Sequence, residues 1–126
     1  MIETTIYSLL NTANIISYTN NRIYPTDAKE GTNWPFIVYE LSGNNPVMSL
    51  AGPTGLNMLD LELTVETTSV AQQTALSNLL KGIFSGYSGN NIQGSFLTDE
   101  SVVKIGDEQE GIIYQETQQY KVYYNG

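Results

Sequence analysis

Leu56-Asn57-Met58-Leu59-Asp60-Leu61-Glu62-Leu63-Thr64-Val65-Glu66-Thr67 decides the fold. Leu59, Leu61, Leu63 and Val65 alternate with Met58, Asp60, Glu62, Thr64 and Glu66. Successive side chains on a strand point to opposite faces, so this alternation gives one dry face and one wet face. A strand of that kind belongs to a sheet covered on one side only, which favours antiparallel pairing.

The elements around it follow from local chemistry. Residues 35–42 start at Pro35, and a first strand residue needs no ladder N–H. Phe36, Val38 and Glu40 point one way there, and Ile37, Tyr39 and Leu41 point the other. The second set is apolar throughout and is the expected core face. The simplest topology pairs this strand antiparallel with 56–67.

Ser69-Val70-Ala71-Gln72 is a capping box, with Ser69 as N-cap. A helix is expected from there to about Ser85, with Ala71, Ala75, Leu76, Leu79, Leu80, Ile83 and Phe84 as its apolar stripe. Gly86 ends it. Ile2, Ile6, Leu9 and Leu10 recur at helical spacing and predict a short helix over 3–11. Ile15-Ile16 and Arg22-Ile23-Tyr24 read as short extended pieces around Thr19-Asn20-Asn21.

Residues 43–55 read as a long loop, above the usual hairpin length. Val47, Met48 and Leu50 in its middle either fold back on the domain or form a β-arm that packs on a neighbouring subunit. An extended piece over 93–105, a turn at 106–111 and a last strand over 112–124 complete the chain. In that last strand Tyr114, Tyr120, Val122 and Tyr124 share one face, and Gln115, Thr117, Gln119 and Lys121 line the other. The expectation is a single α+β domain over residues 1–126. It has a four-stranded, mainly antiparallel sheet, two helices on one face, and a long loop or β-arm.

The totals narrow the function. A chain of 126 residues fits one core. It contains no cysteine and no histidine, which removes disulfides, thiolate chemistry and the commonest general base. No apolar stretch approaches ~20 residues, so no membrane helix is expected. The N-terminus lacks the pattern of a signal peptide. The basic residues are Arg22, Lys29, Lys81, Lys104 and Lys121, against thirteen acidic ones, and the formal net charge is -8. A phosphate-gripping surface needs clustered Lys and Arg, so nucleic-acid binding is not expected. The acidic balance serves solubility, or marks a wall past which DNA slides without sticking. Nine tyrosines on a polar, weakly charged chain suit protein–protein contacts.

Few residues are candidates for chemistry. Asp60, Glu62 and Glu66 share one strand face, with alternate positions roughly 7 Å apart. Paired carboxylates at that spacing suit acid–base work. The plainer reading is a solvated face, because no base or cleft accompanies them. Asp107, Glu108 and Glu110 lack the register of a calcium loop. Gly52-Pro53-Thr54-Gly55 lacks the lysine of a phosphate loop. No catalytic residue, metal or cofactor is expected.

Arg22-Ile23-Tyr24-Pro25 followed by Pro35-Phe36-Ile37-Val38-Tyr39-Glu40 resembles the N-terminal signature of the tail completion proteins of long-tailed bacteriophages, also called tail terminator or tail-to-head joining proteins. The resemblance extends over nearly the whole chain, through the alternating strand, the passage from Val65 to Ala71 and the tyrosine-rich C-terminal strand. Trp34 and the long loop 43–55 depart from that pattern. The resemblance implies an α/β protein that forms a homo-hexameric ring, caps the tail tube and meets the head–tail connector or stopper protein. Double-stranded DNA would pass through the ring without specific binding. The location implied is the virion tail or neck, with assembly in the host cytoplasm and no membrane partner. Asp60, Glu62 and Glu66 would then face the lumen, and Val47, Met48 and Leu50 a neighbouring subunit or the tail tube. The competing readings are another neck component such as a connector stopper, a small soluble protein-binding module, and a carboxylate hydrolase.

Overall fold

The structure, a computed structural model, describes residues 2–19, 22–26, 33–49, 52–89, 91–107 and 111–125. Its elements are α1 (Ile2–Leu10), α2 (Ala13–Thr19), β1 (Ile23–Pro25), β2 (Phe36–Ser49), β3 (Gly52–Thr67), α3 (Val70–Phe84), β4 (Ile92–Asp107) and β5 (Gly111–Asn125). The strands form one five-stranded sheet in the order β1-β2-β3-β5-β4.

The dry face of β3 is the floor of the core. Leu59, Leu61, Leu63 and Val65 are buried there, together with Ile37 and Tyr39 of β2 and Tyr120, Val122 and Tyr124 of β5. The three helices cover that same face: Ile2, Ile6 and Leu10 of α1, Ile15 of α2, and Leu76, Leu80 and Phe84 of α3 join these strand residues in one cluster. Antiparallel registers transmit the parity, since residues directly opposite share a face. Leu61 lies opposite Leu41 on one side and Tyr120 on the other. The N-cap of α3 forms as expected, with Ser69 Oγ accepting from the Gln72 N–H at 3.4 Å.

Two expectations need correction, although the α+β kind and the one-sided helical layer hold. The sheet has a fifth strand: β1 runs parallel to β2, with Ile23 opposite Ile37. There are three helices among the described residues, because the segment around Ile15-Ile16 is helical rather than extended. Its β-branched pair favours a strand locally, yet Ile15, Tyr18 and Thr19 at i, i+3 and i+4 meet the core on one helical face. Of the two forms expected beyond Ser42, a long loop or a β-arm, the structure has the arm, in which β2 and β3 stay paired out to Ser49 and Gly52. Its glycines and prolines read as loop punctuation but sit in a twisted ladder, with irregularities between Ser42 and Asn45 and between Pro46 and Met48. Val47 is half-buried in this arm. Met48 belongs to β2, and Leu50 lies outside the described residues.

One part of the dry face is polar. The parity of β5 that buries Tyr120 also turns Gln118 and Glu116 inward, where both are buried. They sit beneath α3 in a chain of hydrogen bonds. The Tyr120 hydroxyl donates to Gln118 Oε1 at 2.6 Å. Gln118 Nε2 donates to Glu116 Oε2 at 2.6 Å, and at longer range to Ser77 Oγ and the Ser77 carbonyl. Gln73 Nε2 donates to Glu116 Oε1 at 2.5 Å. Buried polar groups are tolerable only when satisfied in this way. Burial first, and then the carboxylates of Glu100 and Glu116, push the Tyr120 hydroxyl pKa well above its ordinary value.

Two predictions follow from this network. Tyr120→Phe strands the Gln118 carbonyl oxygen and should cost about 1–3 kcal/mol in denaturant unfolding. Because folding keeps Tyr120 protonated, the unfolded chain releases this proton first, from about pH 10 upward, and stability falls as pH rises through that region. In Tyr120→Phe that part of the alkaline loss should disappear from the pH dependence of thermal unfolding.

Candidate functional site

The face of the sheet opposite the helices carries the acidic residues. Parity places Asp60, Glu62, Thr64 and Glu66 of β3 there, since their neighbours on the strand are buried beneath the helices. The registers extend the row. Glu40 of β2 lies directly opposite Glu62, and Ser42 opposite Asp60. On the other side Gln119 faces Glu62, Gln115 faces Glu66 and Lys121 faces Asp60. Asp99 of β4 lies opposite Gln119. This face therefore gathers five carboxylates among its described residues, Glu40, Asp60, Glu62, Glu66 and Asp99, with Lys121 among them.

The three carboxylates singled out in the sequence have different surroundings. Asp60 is exposed and pairs with Lys121 Nζ at 3.4 Å. Glu66 is held by neutral donors: Gln115 Nε2 at 3.2 Å and, at 3.5 Å, the indole Nε1 of Trp34. Glu62 stands between them. It lines a shallow depression of about 250 Å³ with Thr26, Val38, Glu40, Thr64, Glu66 and Gln115. A neighbouring depression of about 330 Å³ is lined by Ser42, Asp60, Leu61, Glu62, Thr98, Gln119 and Lys121. The fold thus joins all three residues in one continuous acidic strip rather than around one reacting point. Asp60 is partnered by a lysine, and no described side chain in either depression is a histidine or cysteine.

Glu40 and Trp34 are parts of this strip that the reading of 56–67 did not include. Glu40 was legible: it shares a face with Phe36 and Val38, and antiparallel pairing brings that face beside Glu62. Trp34 was not, because its contact with Glu66 depends on a turn outside the strand period. Arg22 acts structurally. Its Nε donates to the Pro35 carbonyl at 3.0 Å and its Nη2 to the Trp34 carbonyl at 3.3 Å. The Ile37 N–H donates to the Arg22 carbonyl at 3.0 Å, so the two halves of the N-terminal signature are tied side by side.

A further concavity of about 460 Å³ lies between α2 and α3, lined by Ser17, Tyr18, Ala75, Asn78 and Leu79. Among the described residues no group of three His, Cys, Asp or Glu side chains is placed to hold a metal ion. No described helix is long and apolar enough to cross a membrane.

Like charges directly opposite across a ladder destabilise it. Glu62→Gln should therefore raise stability by about 0.2–1 kcal/mol at low salt. The gain should shrink in 1 M salt, where screening already softens the repulsion from Glu40. Paired urea melts at the two salt concentrations read this directly.

No protein-family model matches the chain, and no curated protein matches it in sequence. Among solved structures it is similar to a chain of the "Virion of native gene transfer agent (GTA) particle". The TM-score is 0.67 at 13% identity, over 96% of this chain and 92% of the other. At that identity the likeness is one of fold, and it includes nearly the full length of both chains.

Proposed function

We propose that this chain is a structural protein of a phage-like virion. More narrowly, it is a tail terminator or tail-to-head joining protein that caps the tail tube as a homo-hexameric ring around the DNA channel. The observation that carries the reading is the fold shared, almost end to end, with a chain of a gene transfer agent virion particle. The resemblance of Arg22–Pro25 and Pro35–Glu40 to tail completion proteins supports the narrower role independently of that likeness.

The geometry suits the role. The acidic strip on the helix-free face is wide, shallow and continuous, as a wall for passing DNA should be. With one ammonium among five carboxylates it repels phosphates rather than gripping them. A ring of chains that each carry a net charge of -8 also repels itself, so ring closure is favoured by salt or by contacts with the tail tube and the connector. The β2–β3 arm, which carries Val47 and Met48, is the second contact segment of this reading, toward a neighbouring subunit or the tail tube. No catalytic step belongs to this reading.

Antibody labelling of particles, viewed by electron microscopy, should place this chain at the head–tail junction. Label spread over the capsid shell or along the whole tail would overturn the narrower role. Deleting residues 46–55 should leave tails overlong or unjoined to heads. Particles carrying Asp60→Lys, Glu62→Lys and Glu66→Lys together should assemble but eject DNA more slowly; unchanged ejection would remove the strip from the channel.

A further inference from the structure

The edge strand β4 is unusually open. Among the described residues, Phe96, Val102, Val103 and Ile105 are exposed large apolar side chains on this one strand, with Val102 51%, Val103 52% and Ile105 40% exposed. Residues 86–89 cover the start of its outer edge, where Gly89 pairs with Ile92 and the Gly86 N–H donates to the Ser95 carbonyl, whereas from Asp99 onward β5 is its only strand partner among the described residues. Natural edges are usually blunted by charged side chains, proline, bulges or short length, and of these the later part of β4 carries only charges, among them Glu100 and Lys104. Both irregularities of β4 fall before Asp99. From Asp99 opposite Gln119 to Asp107 opposite Gly111 the ladder is unbroken, and the segment has no proline. A long, regular row of outward N–H and C=O groups therefore faces away from the sheet.

The sequence of this edge is complementary to itself. It reads Thr98-Asp99-Glu100-Ser101-Val102-Val103-Lys104-Ile105-Gly106. Glu100, Val102 and Lys104 lie on the side of the sheet that bears the helices, since Glu100 Oε2 reaches Lys81 of α3 at 3.0 Å. Asp99, Ser101, Val103 and Ile105 lie on the other side. An antiparallel pair that keeps each face matched brings together residues of the same parity. Centring it on Val102 sets Val102 against its own copy and Lys104 against Glu100, twice over by symmetry. Centring on Glu100 or Lys104 opposes like charges. Centring on Val103 sets Asp99 against Asp107, and centring on Ser101 leaves every charge without an opposite. Lys104 is exposed and makes no ion pair with another described residue, so its charge is available to this contact.

We propose that β4 pairs edge to edge with β4 of a second copy of this chain, antiparallel about a two-fold axis through Val102. One sheet then runs through both copies, with the helices of both on the same side. Lys104 joins the Lys81–Glu100 pair of the second copy, and the two Val102 side chains meet between the two charge clusters. The contact is isologous and closes at two copies, unlike the heterologous contacts of a ring. It does not rest on the virion reading.

The absence of cysteine makes the register testable. The five positions probed, 100 to 104, are exposed, so substitution there leaves the core intact. Under mild oxidation Val102→Cys should give a covalent dimer, because directly opposite Cβ atoms approach to about 5 Å. Val103→Cys alone should not, whereas a mixture of Ser101→Cys and Val103→Cys chains should cross-link as mixed dimers. In sedimentation equilibrium Lys104→Glu should weaken the dimer roughly tenfold or more, by turning two attractive pairs repulsive. Glu100→Lys combined with Lys104→Glu should recover most of that loss. Three results overturn the proposal: a wild-type chain that stays monomeric at every concentration, Val103→Cys linking as well as Val102→Cys, or an assembly indifferent to Lys104→Glu. Each concerns purified protein, so failure here is separable from failure to label the head–tail junction.

Discussion

Burial of one side of β3 is the constraint on which the other elements hang. Leu59, Leu61, Leu63 and Val65 leave water together, and a one-residue slip would turn all four outward. Because β3 is paired on both flanks, its parity passes to β2 and β5 and sets which of their side chains meet the helices. The same rule that dries one face collects Glu40, Asp60, Glu62 and Glu66 on the other. Core and acidic strip are two consequences of one alternation. The carboxylates of the strip need no helix or ligand to gather them.

The parity of β5 exacts a cost that α3 offsets. Keeping Tyr120 and Val122 inside also carries Gln118 and Glu116 inside. An amide and a carboxyl under a helix would be strongly destabilising without partners. Gln73 and Ser77 stand one turn apart on the buried side of α3 and supply them. This gives α3 a polar register mark in addition to its apolar stripe. A helix turned by a quarter would still bury leucines, but it would leave Glu116 and Gln118 unpaired. The network thus specifies how α3 sits, where hydrophobic contact alone would tolerate several placements.

The helix-free side and the two hairpins hold the surfaces available to other molecules. The tips of the β2–β3 arm and of the β4–β5 hairpin lie at opposite ends of the strands. The acidic strip lies between them on the helix-free face.

Much of this was legible in the chain. The period-two run 58–66, the capping box at Ser69 and the helical spacing of Ile2, Ile6 and Leu10 are local patterns whose physics needs no partner. They determined the α+β class, the one-sided helical layer and the acidic face. What tertiary structure decided was everything that rests on a distant partner. Ile15-Ile16 became helical because Ile15 found the core. Ile23-Tyr24-Pro25 became a parallel fifth strand because Arg22 and Ile37 tie it to β2. Between a loop and a β-arm the sequence left the choice open, and residues 45–49 and 52–58 took the arm because each strand supplied the ladder the other lacked. Glu116 and Gln118 stayed inside because α3 brought Gln73 and Ser77 to them. Period and capping are written in neighbouring residues. Pairing, burial and polar satisfaction are properties of residues tens of positions apart, and folding alone brings those together.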